Sequence, residues 1–121
     1  MAKVMVLVAE DHADIRLLMR IYLESFGYEV IEAADGLRAV ETAVEAKPDL
    51  ILMDIAMPVL DGVQAASAIR EHEELAEVPI VALTAYGDIY NEKARAAGCN
   101  DVIQKPLDFE QLKPIIQRYV R

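Results

Sequence analysis

Residues 50–54 read Leu50-Ile51-Leu52-Met53-Asp54, an unbroken apolar run that ends on a carboxylate. Runs that are apolar at consecutive positions are typical of parallel strands covered on both faces, whereas half-exposed strands alternate. An unpaired carboxylate would be an unusual choice for packing at the end of such a strand. The stretch therefore predicts a central parallel strand and marks Asp54 as a functional candidate.

Further strands and helices alternate with this run along the chain. Four other aliphatic or β-branched runs are Val4 to Ala9, Tyr28 to Ala33, Pro79 to Leu83 and Asp101 to Ile103. Between the runs, apolar residues recur with helical spacing. The five predicted stripes are Ile15, Leu18, Tyr22 and Phe26; Leu37, Val40, Ala43 and Val44; Val63, Ala66 and Ile69; Ala94 and Ala97; and Leu112, Ile115 and Tyr119.

Glycine, proline and aspartate indicate where the helices begin and end. The predicted terminators of helices one, two and four are Gly27, Pro48 and Gly98. The predicted caps of helices two, three and five are Asp35, Asp61 and Asp108. Pro114 lies inside the last helical pattern and removes a backbone hydrogen bond, which predicts a kink or a late start there.

Five strand–helix units cannot close an eight-stranded barrel, so they predict an open parallel sheet with helices on both faces. We expect an α/β fold of the flavodoxin-like (βα)₅ class, a three-layer sandwich with strand order 2-1-3-4-5. At 121 residues, the chain has the length of a single domain, which we expect to span residues 1–121.

The composition argues against several classes of function and location. The net charge is −9, from 21 acidic and 12 basic residues, which argues against a nucleic-acid surface. The largely apolar N-terminal stretch from Met1 to Ala9 is too short to span a bilayer and is followed at once by Glu10 and Asp11, so we expect a soluble protein. Cys99 is the one cysteine, so no internal disulfide can form and a reducing compartment is favoured.

Polar residues follow four of the five predicted strands, and in a parallel sheet these ends meet at one edge. They are Glu10 and Asp11 after the first strand, Asp54 on the third, Thr84 on the fourth and Lys105 after the fifth. The second strand ends on alanines, as expected for a strand at the outer edge of this strand order.

Clustered carboxylates repel one another unless a cation lies between them. Oxygen ligands of this kind suit Mg²⁺, whereas a zinc site would need histidines or cysteines. His12 follows the acidic pair, but we expect it to point away from the metal.

Each of these residues also has a purely structural interpretation. Glu10 and Asp11 could be helix caps, Thr84 an ordinary strand residue and Lys105 a solvated lysine; Asp61 and Gly62 are best interpreted as a turn and cap, and Cys99 and His72 as structural or solvent-facing.

Four motifs stand in register on this strand–helix pattern. They are Ala9-Glu10-Asp11; Leu52-Met53-Asp54-Ile55-Ala56-Met57-Pro58 with Asp61-Gly62; Leu83-Thr84-Ala85; and Lys105-Pro106-Leu107. In order and spacing they resemble the CheY-like receiver family of two-component response regulators, and the resemblance covers the whole chain. It implies a single receiver domain over residues 1–121.

The resemblance also implies roles for these residues. Asp54 would be the phosphoacceptor, with Thr84 and Lys105 assisting. Mg²⁺ would be held by Asp11, Asp54 and the backbone carbonyl of Ala56, with Glu10 acting through water. The Lys105-Pro106 bond would be cis.

The implied partners are a histidine kinase or histidine phosphotransfer protein and an unidentified downstream protein, with no nucleic acid and no membrane insertion. The implied protein is cytoplasmic, and it is not an enzyme in its own right but assists its own phosphotransfer and dephosphorylation.

Two positions depart from the family pattern. Many relatives carry an aromatic residue three positions before the lysine, where this chain has Val102, and Tyr86 is a candidate to take over part of that role. Glu10 stands where an aspartate is common, which keeps the charge and lengthens the arm.

Other functions stay open at this stage. The chain could be a phosphorelay intermediate or phosphate sink without an output of its own, or a pseudo-receiver that is never phosphorylated. A Mg²⁺ phosphatase is disfavoured, because Asp54-Ile55-Ala56 offers no second acid beside the nucleophile.

Overall fold

The computed structural model describes residues 3–85, 88–105 and 108–120, with the backbone alone at 88 and 89. Tyr86 and Pro106, and with them the proposed cis bond, lie outside the described residues. The strands are β1 (Met5–Ala9), β2 (Glu29–Ala33), β3 (Leu50–Asp54), β4 (Ile80–Thr84) and β5 (Asp101–Gln104). The helices are α1 (Ala13–Glu24), α2 (Gly36–Ala46), α3 (Gly62–Arg70), α4 (Asp88–Ala96) and α5 (Phe109–Tyr119), with a 3₁₀ turn at Glu73–Leu75.

The five strands form one parallel sheet in the order β2-β1-β3-β4-β5, which confirms the predicted topology. Asp54 at the end of β3 pairs with Leu83, and Thr84 at the end of β4 pairs with Gln104. The register therefore brings the carboxyl ends of β3, β4 and β5 to the same level at one edge of the sheet.

Helices cover both faces of the sheet, as predicted for strands without alternation. On one face α1 and α5 contribute Met19, Leu23, Leu112 and Ile116 to a core with the strands. On the other face α2, α3 and α4 contribute mainly alanines, including Ala39, Ala43, Ala65, Ala66 and Ala94. Every residue of β3 is buried. Within the described residues, no helix has the length and apolar character needed to cross a membrane.

The predicted apolar stripe of α1 is half wrong. Ile15 and Tyr22 pack against the core, but Leu18 is 53% exposed and Phe26 is 40% exposed. The buried positions are instead Met19 and Leu23. Because residues 17–19 are all apolar, spacing alone could not decide which of them faces the sheet. In α2, likewise, Leu37 is exposed although the rest of the predicted stripe packs on the core.

The predicted helix ends agree better with the structure. Asp35, Asp61 and Asp108 each accept a backbone hydrogen bond at the start of their helix, which confirms the three caps. Gly27 and Gly98 follow α1 and α4 with positive φ, and Pro48 follows α2. The late start of the last helix is wrong, because α5 begins at Phe109 and contains Pro114.

Gly62 sets the distance between α3 and the end of β3. Its N–H donates to the carbonyl of Ile55 at 2.8 Å. A Cβ atom at this position would lie 2.5 Å from the backbone oxygen of Asp54 and 2.7 Å from Cα of Ile55. Backbone atoms cannot yield as a flexible side chain can, so the absence of a side chain at Gly62 fixes the backbone beneath Asp54.

We expect Gly62→Ala to destabilise the fold by about 1–3 kcal/mol, the usual cost of forcing an extra methyl group into a packed site. Gly27→Asn is the matched control, because a Cβ there meets nothing within 4 Å and asparagine tolerates a positive φ. Urea unfolding of both variants measures the difference. Equal stability losses would show that the approach of α3 to β3 does not depend on Gly62.

Candidate functional site

The carboxyl edge of the sheet brings the predicted site residues together. A cavity of about 410 Å³ opens there, and Asp54, Thr84 and Lys105 line it. Its other lining residues are His12, Ile55, Ala56, Met57, Asp61, Ala85 and Tyr90. Glu10 lies beside the cavity and is fully buried. All four strands that were predicted to contribute do so, and the β2 end does not.

Lys105 joins the two buried carboxylates. Its Nζ lies 2.9 Å from Oδ2 of Asp54 and 3.3 Å from Oε1 of Glu10. Asp54 and Glu10 are 2% and 0% exposed, so bulk water cannot solvate either carboxylate. The backbone N–H of Lys105 donates to the carbonyl of Thr84 at 2.7 Å, which continues the β4–β5 pairing up to the lysine. Lys105 is therefore an ion-paired residue of the site and not a solvated lysine.

Both the carboxylate and the backbone carbonyl of Glu10 accept hydrogen bonds from α1 and the residue that precedes it. Its Oε2 accepts hydrogen bonds from the backbone N–H of His12 at 3.1 Å and makes a 2.8 Å contact with Nδ1 of the same histidine. Its backbone carbonyl accepts from Arg16 at 2.7 Å. His12, and neither Glu10 nor Asp11, is the N-cap residue of α1, and it makes no side-chain cap bond. The capping interpretation of the acidic pair is therefore wrong.

Burial and charged neighbours have opposite effects on the pKa values of the site residues. Burial raises the pKa of Asp54, and the charge of Glu10 adds to the rise against the hydrogen bond from Lys105. For Glu10, burial also favours the neutral form, but hydrogen bonds from His12 and attraction to Lys105 outweigh it and lower the pKa. For Lys105, burial opposes the charged form, yet the hydrogen bond and charge of Asp54 prevail and raise its pKa. Of the two buried carboxylates, Asp54 is thus less compensated than Glu10.

Asp11 leaves an acceptor that suits a cation. Its Oδ1 is buried and receives no hydrogen bond from any residue that the structure describes, although Nδ1 of His12 lies 3.3 Å away. Ligand atoms of Glu10, Asp11, His12 and Asp54 all lie within 4.8 Å of one another. Three carboxylates face one ammonium group here, and hard oxygen donors of this kind fit Mg²⁺. Ala56, whose carbonyl was predicted as a further ligand, donates its N–H to Oδ1 of Asp54 at 3.2 Å.

Sequence reasoning missed two lining residues. His12 was expected to point away, but its ring nitrogen contacts both acids of the pair. Tyr90 on α4 also lines the cavity. Its side chain packs against the same core cluster as Val102. The clue to His12 was its place directly after the acids; the fourth helix offered only Ala94 and Ala97 as a stripe, which gave no sign of where Tyr90 would lie.

Two residues were left without a role, and the structure accounts for one of them. Cys99 is buried, and burial raises the pKa of its thiol to about 11, so it stays neutral and unreactive. His72 is partly buried and precedes the 3₁₀ turn, away from the cavity.

Comparison with known proteins points the same way as the geometry. A sequence model described as "Response regulator receiver domain" matches residues 6–117. Among curated proteins, the polar-differentiation response regulator DivK of Brucella anthropi is 36% identical over 118 residues, which cover 95% of this chain and 94% of DivK.

Solved structures are similar over nearly the whole chain. The receiver domain of the sensor histidine kinase PA1611 from Pseudomonas aeruginosa PAO1, with a magnesium ion coordinated in its active site cleft, has a TM-score of 0.90 and 39% identity, with 98% of both chains covered. A co-crystal structure of the Saccharomyces cerevisiae histidine phosphotransfer protein Ypd1 and the receiver domain of the response regulator Ssk1 matches with a TM-score of 0.90 and 32% identity, covering 97% of this chain and 88% of that one.

We expect Asp54→Asn to stabilise the metal-free fold at neutral pH. Because the folded-state pKa of Asp54 is raised, its ionised form destabilises the fold above that pKa, and the cost vanishes below the unfolded-state pKa. Lys105 keeps Glu10 as a partner in the variant. Thermal unfolding should therefore show a higher Tm than wild type at neutral pH and no difference in acid.

Glu45→Gln, on the exposed part of α2, removes the same charge far from the site and serves as the control. If it raises Tm as much as Asp54→Asn does, the effect is one of net charge and not of the site.

Proposed function

The chain belongs to the response regulator receiver domain family of two-component signalling, and on that premise we propose that Asp54 is its phosphoacceptor. The observation that carries the proposal is the position of this carboxylate: it is buried, it lines a cavity, and it is paired with Lys105 at 2.9 Å. The acceptor oxygen thus has one positive partner and open space on the cavity side.

The proposed reaction transfers a phosphoryl group between two proteins. A carboxylate oxygen of Asp54 attacks the phosphorus of a phosphohistidine, the new O–P bond forms, the P–N bond breaks, and the electron pair leaves with the imidazole. Such transfers depend mostly on alignment and charge neutralisation. Lys105 would exchange its contact with Asp54 for one with a phosphoryl oxygen. The Thr84 hydroxyl, at the end of β4, would donate a charge-assisted hydrogen bond to another.

Mg²⁺ is the proposed cofactor, held by Asp11, Asp54 and the carbonyl of Ala56, with Glu10 acting through water. Support comes from the buried acceptor on Asp11 and the excess of carboxylates over ammonium groups in the cluster. A bound Mg²⁺ would supply positive charge opposite the transferring phosphoryl group. The same residues would let the chain assist both its own phosphorylation and the later loss of phosphate, without being an enzyme in the usual sense.

The phosphodonor is proposed to be a histidine kinase or a histidine phosphotransfer protein, which docks on α1. Leu17, Leu18 and Ile21 are 53%, 53% and 56% exposed and share one face of this helix. We call them the α1 patch. Because α1 begins three residues after Glu10, at the cavity edge of the sheet, a donor that presents its histidine to the cavity could also contact this helix. Exposed apolar residues in a group often mark a protein contact.

The output is proposed to be a conformational signal to a downstream protein. Val102 replaces the aromatic residue that many relatives use, and Tyr90 supplies an aromatic ring at the cavity from α4 instead. Phosphorylation would shift an existing equilibrium of the β4–α4 region. A relay or sink without output remains the second candidate. A pseudo-receiver is disfavoured, because the acidic pair, Asp54, Thr84 and Lys105 are all present at the site.

The proposal also covers the extent of the domain, its cellular location and its contact with nucleic acid. Residues 1–121 are taken as one receiver domain, supported by the family match over 6–117. A cytoplasmic location fits the single, unpaired Cys99. Contact with nucleic acid is disfavoured by the net charge of −9.

We expect acetyl phosphate with Mg²⁺ to add one phosphoryl group to the wild-type protein, because a small donor can reach Asp54 through the cavity. Intact-protein mass spectrometry measures the added mass, and peptide mapping locates it. Asp54→Ala and wild type with EDTA are the controls. Undiminished labelling of either one would refute the assignment of Asp54 or of the metal, respectively.

The α1 patch should matter for a protein donor only. We expect Ile21→Glu to slow labelling by the fastest-transferring purified histidine kinase or phosphotransfer protein roughly tenfold, as loss of a central contact of about 1.4 kcal/mol would. Labelling by acetyl phosphate should not change. Leu37→Glu on α2 is the matched control, since Leu37 is 44% exposed on the opposite side of the sheet. If both variants slow the transfer alike, docking does not use the α1 patch.

A further inference from the structure

We infer that His12 is a metal ligand of this site, so that the cluster takes a borderline divalent ion such as Co²⁺ or Zn²⁺ through a nitrogen donor as well as oxygens. The inference rests on the proposed metal site and assigns it a further ligand and a selectivity. Its basis is the position of the imidazole: Nδ1 lies 2.8 Å from Oε2 of Glu10 and 3.3 Å from Oδ1 of Asp11.

The four candidate side chains are close to the spacing that one ion requires. Bonds of about 2.1 Å place opposite ligands of a six-coordinate ion about 4.2 Å apart. Ligand atoms of Glu10, Asp11, His12 and Asp54 already lie within 4.8 Å of one another. A contraction of about half an ångström would therefore bring Asp11, His12 and Asp54 onto one ion, with Glu10 near enough to act through water. The imidazole has room for this, because the side chain of His12 is 59% exposed.

The backbone holds His12 where it is. As the N-cap residue of α1 it has extended dihedrals, and its N–H donates to Glu10 at 3.1 Å. The carbonyl of His12 accepts from the N–H of Arg16 in the first turn of the helix, and the Arg16 guanidinium binds the carbonyl of Glu10. The ring is thus anchored to the same turn as the two acids, and the metal would replace its contact with Glu10.

The identity of the donor atom decides the selectivity. Carboxylates and carbonyls suit Mg²⁺ and Mn²⁺, whereas imidazole suits Zn²⁺ and its neighbours in the first transition row. Affinity for an N/O site also rises along that row from Mn²⁺ to Co²⁺. An all-oxygen cluster would gain only this general increase. With His12 as a ligand, part of the preference for Co²⁺ over Mg²⁺ depends on one side chain and disappears with it.

The alternative is that His12 only orients Glu10. His12→Asn separates the two roles, because its amide nitrogen can still donate near the position of Nδ1 while no imidazole remains. His72→Asn is the matched control, since His72 is the other histidine of the chain and does not line the cavity.

Isothermal titration of the metal-free full chain with Co²⁺ and with Mg²⁺ measures both affinities. We expect His12→Asn to lose Co²⁺ affinity at least roughly tenfold, the lower end of what removing even an outer partner of a metal site costs. Its Mg²⁺ affinity should stay unchanged, and His72→Asn should behave as wild type. Pulsed electron paramagnetic resonance of the Mn²⁺ form should show nitrogen coupling in wild type and His72→Asn but not in His12→Asn.

Equal Co²⁺ affinities of wild type and His12→Asn, or nitrogen coupling that survives in His12→Asn, would overturn the inference. A parallel loss of Mg²⁺ and Co²⁺ affinity would also overturn it, since that is the result of a displaced Glu10. Failure of the proposed function looks different: wild type would then bind neither ion, or would take no phosphoryl group from acetyl phosphate.

Discussion

The ammonium group of Lys105 lies between two carboxylates that have almost no access to water, and the rest of the site is arranged around that contact. Removing carboxylates from water is costly unless a positive charge and hydrogen bonds replace the lost solvation. Lys105 reaches both Asp54 and Glu10, and His12 supplies the remaining hydrogen bonds of the Glu10 carboxylate. Asp54 has fewer such partners, which explains why its pKa rises while that of Glu10 falls.

The sheet makes this contact possible from positions 95 residues apart in the chain. Parallel register places the ends of β3, β4 and β5 at one level, and the β4–β5 pairing continues up to the N–H of Lys105. Gly62 lets α3 pack directly on the backbone of Asp54. The end of β5 thus places the backbone of Lys105 at the edge of the sheet, and its flexible side chain carries the ammonium group to the two carboxylates.

How far the sequence predicted the site depends on the kind of signal. Strand ends were predictable, because parallel topology sends every carboxyl end to one edge and leaves little choice for Asp54, Thr84 or Lys105. Side-chain direction was not predictable where neighbours are chemically alike, as in residues 17–19, where Met19 and not Leu18 is buried. The direction of the His12 side chain depends on its contact with Glu10, two positions earlier in the sequence, and hydrophobic periodicity gives no information about such a contact. Tyr90 reached the cavity through the placement of α4, a tertiary effect.

The same cluster carries more negative than positive charge, and this excess bears on how Lys105 would respond to phosphorylation. Three carboxylates against one ammonium group leave an excess of negative charge in a buried setting, and this excess favours binding of a cation. A phosphoryl group on Asp54 would add further negative charge beside Lys105, so the lysine would have to divide its contacts differently among Glu10, Asp54 and the new oxygens. Glu10, whose Oε2 accepts a hydrogen bond from the backbone N–H of His12 independently of Lys105, can lose the ammonium group without being left unpaired. That second anchor would free Lys105 to follow the phosphoryl group, and it links the lengthened acidic side chain of this receiver to the histidine beside it.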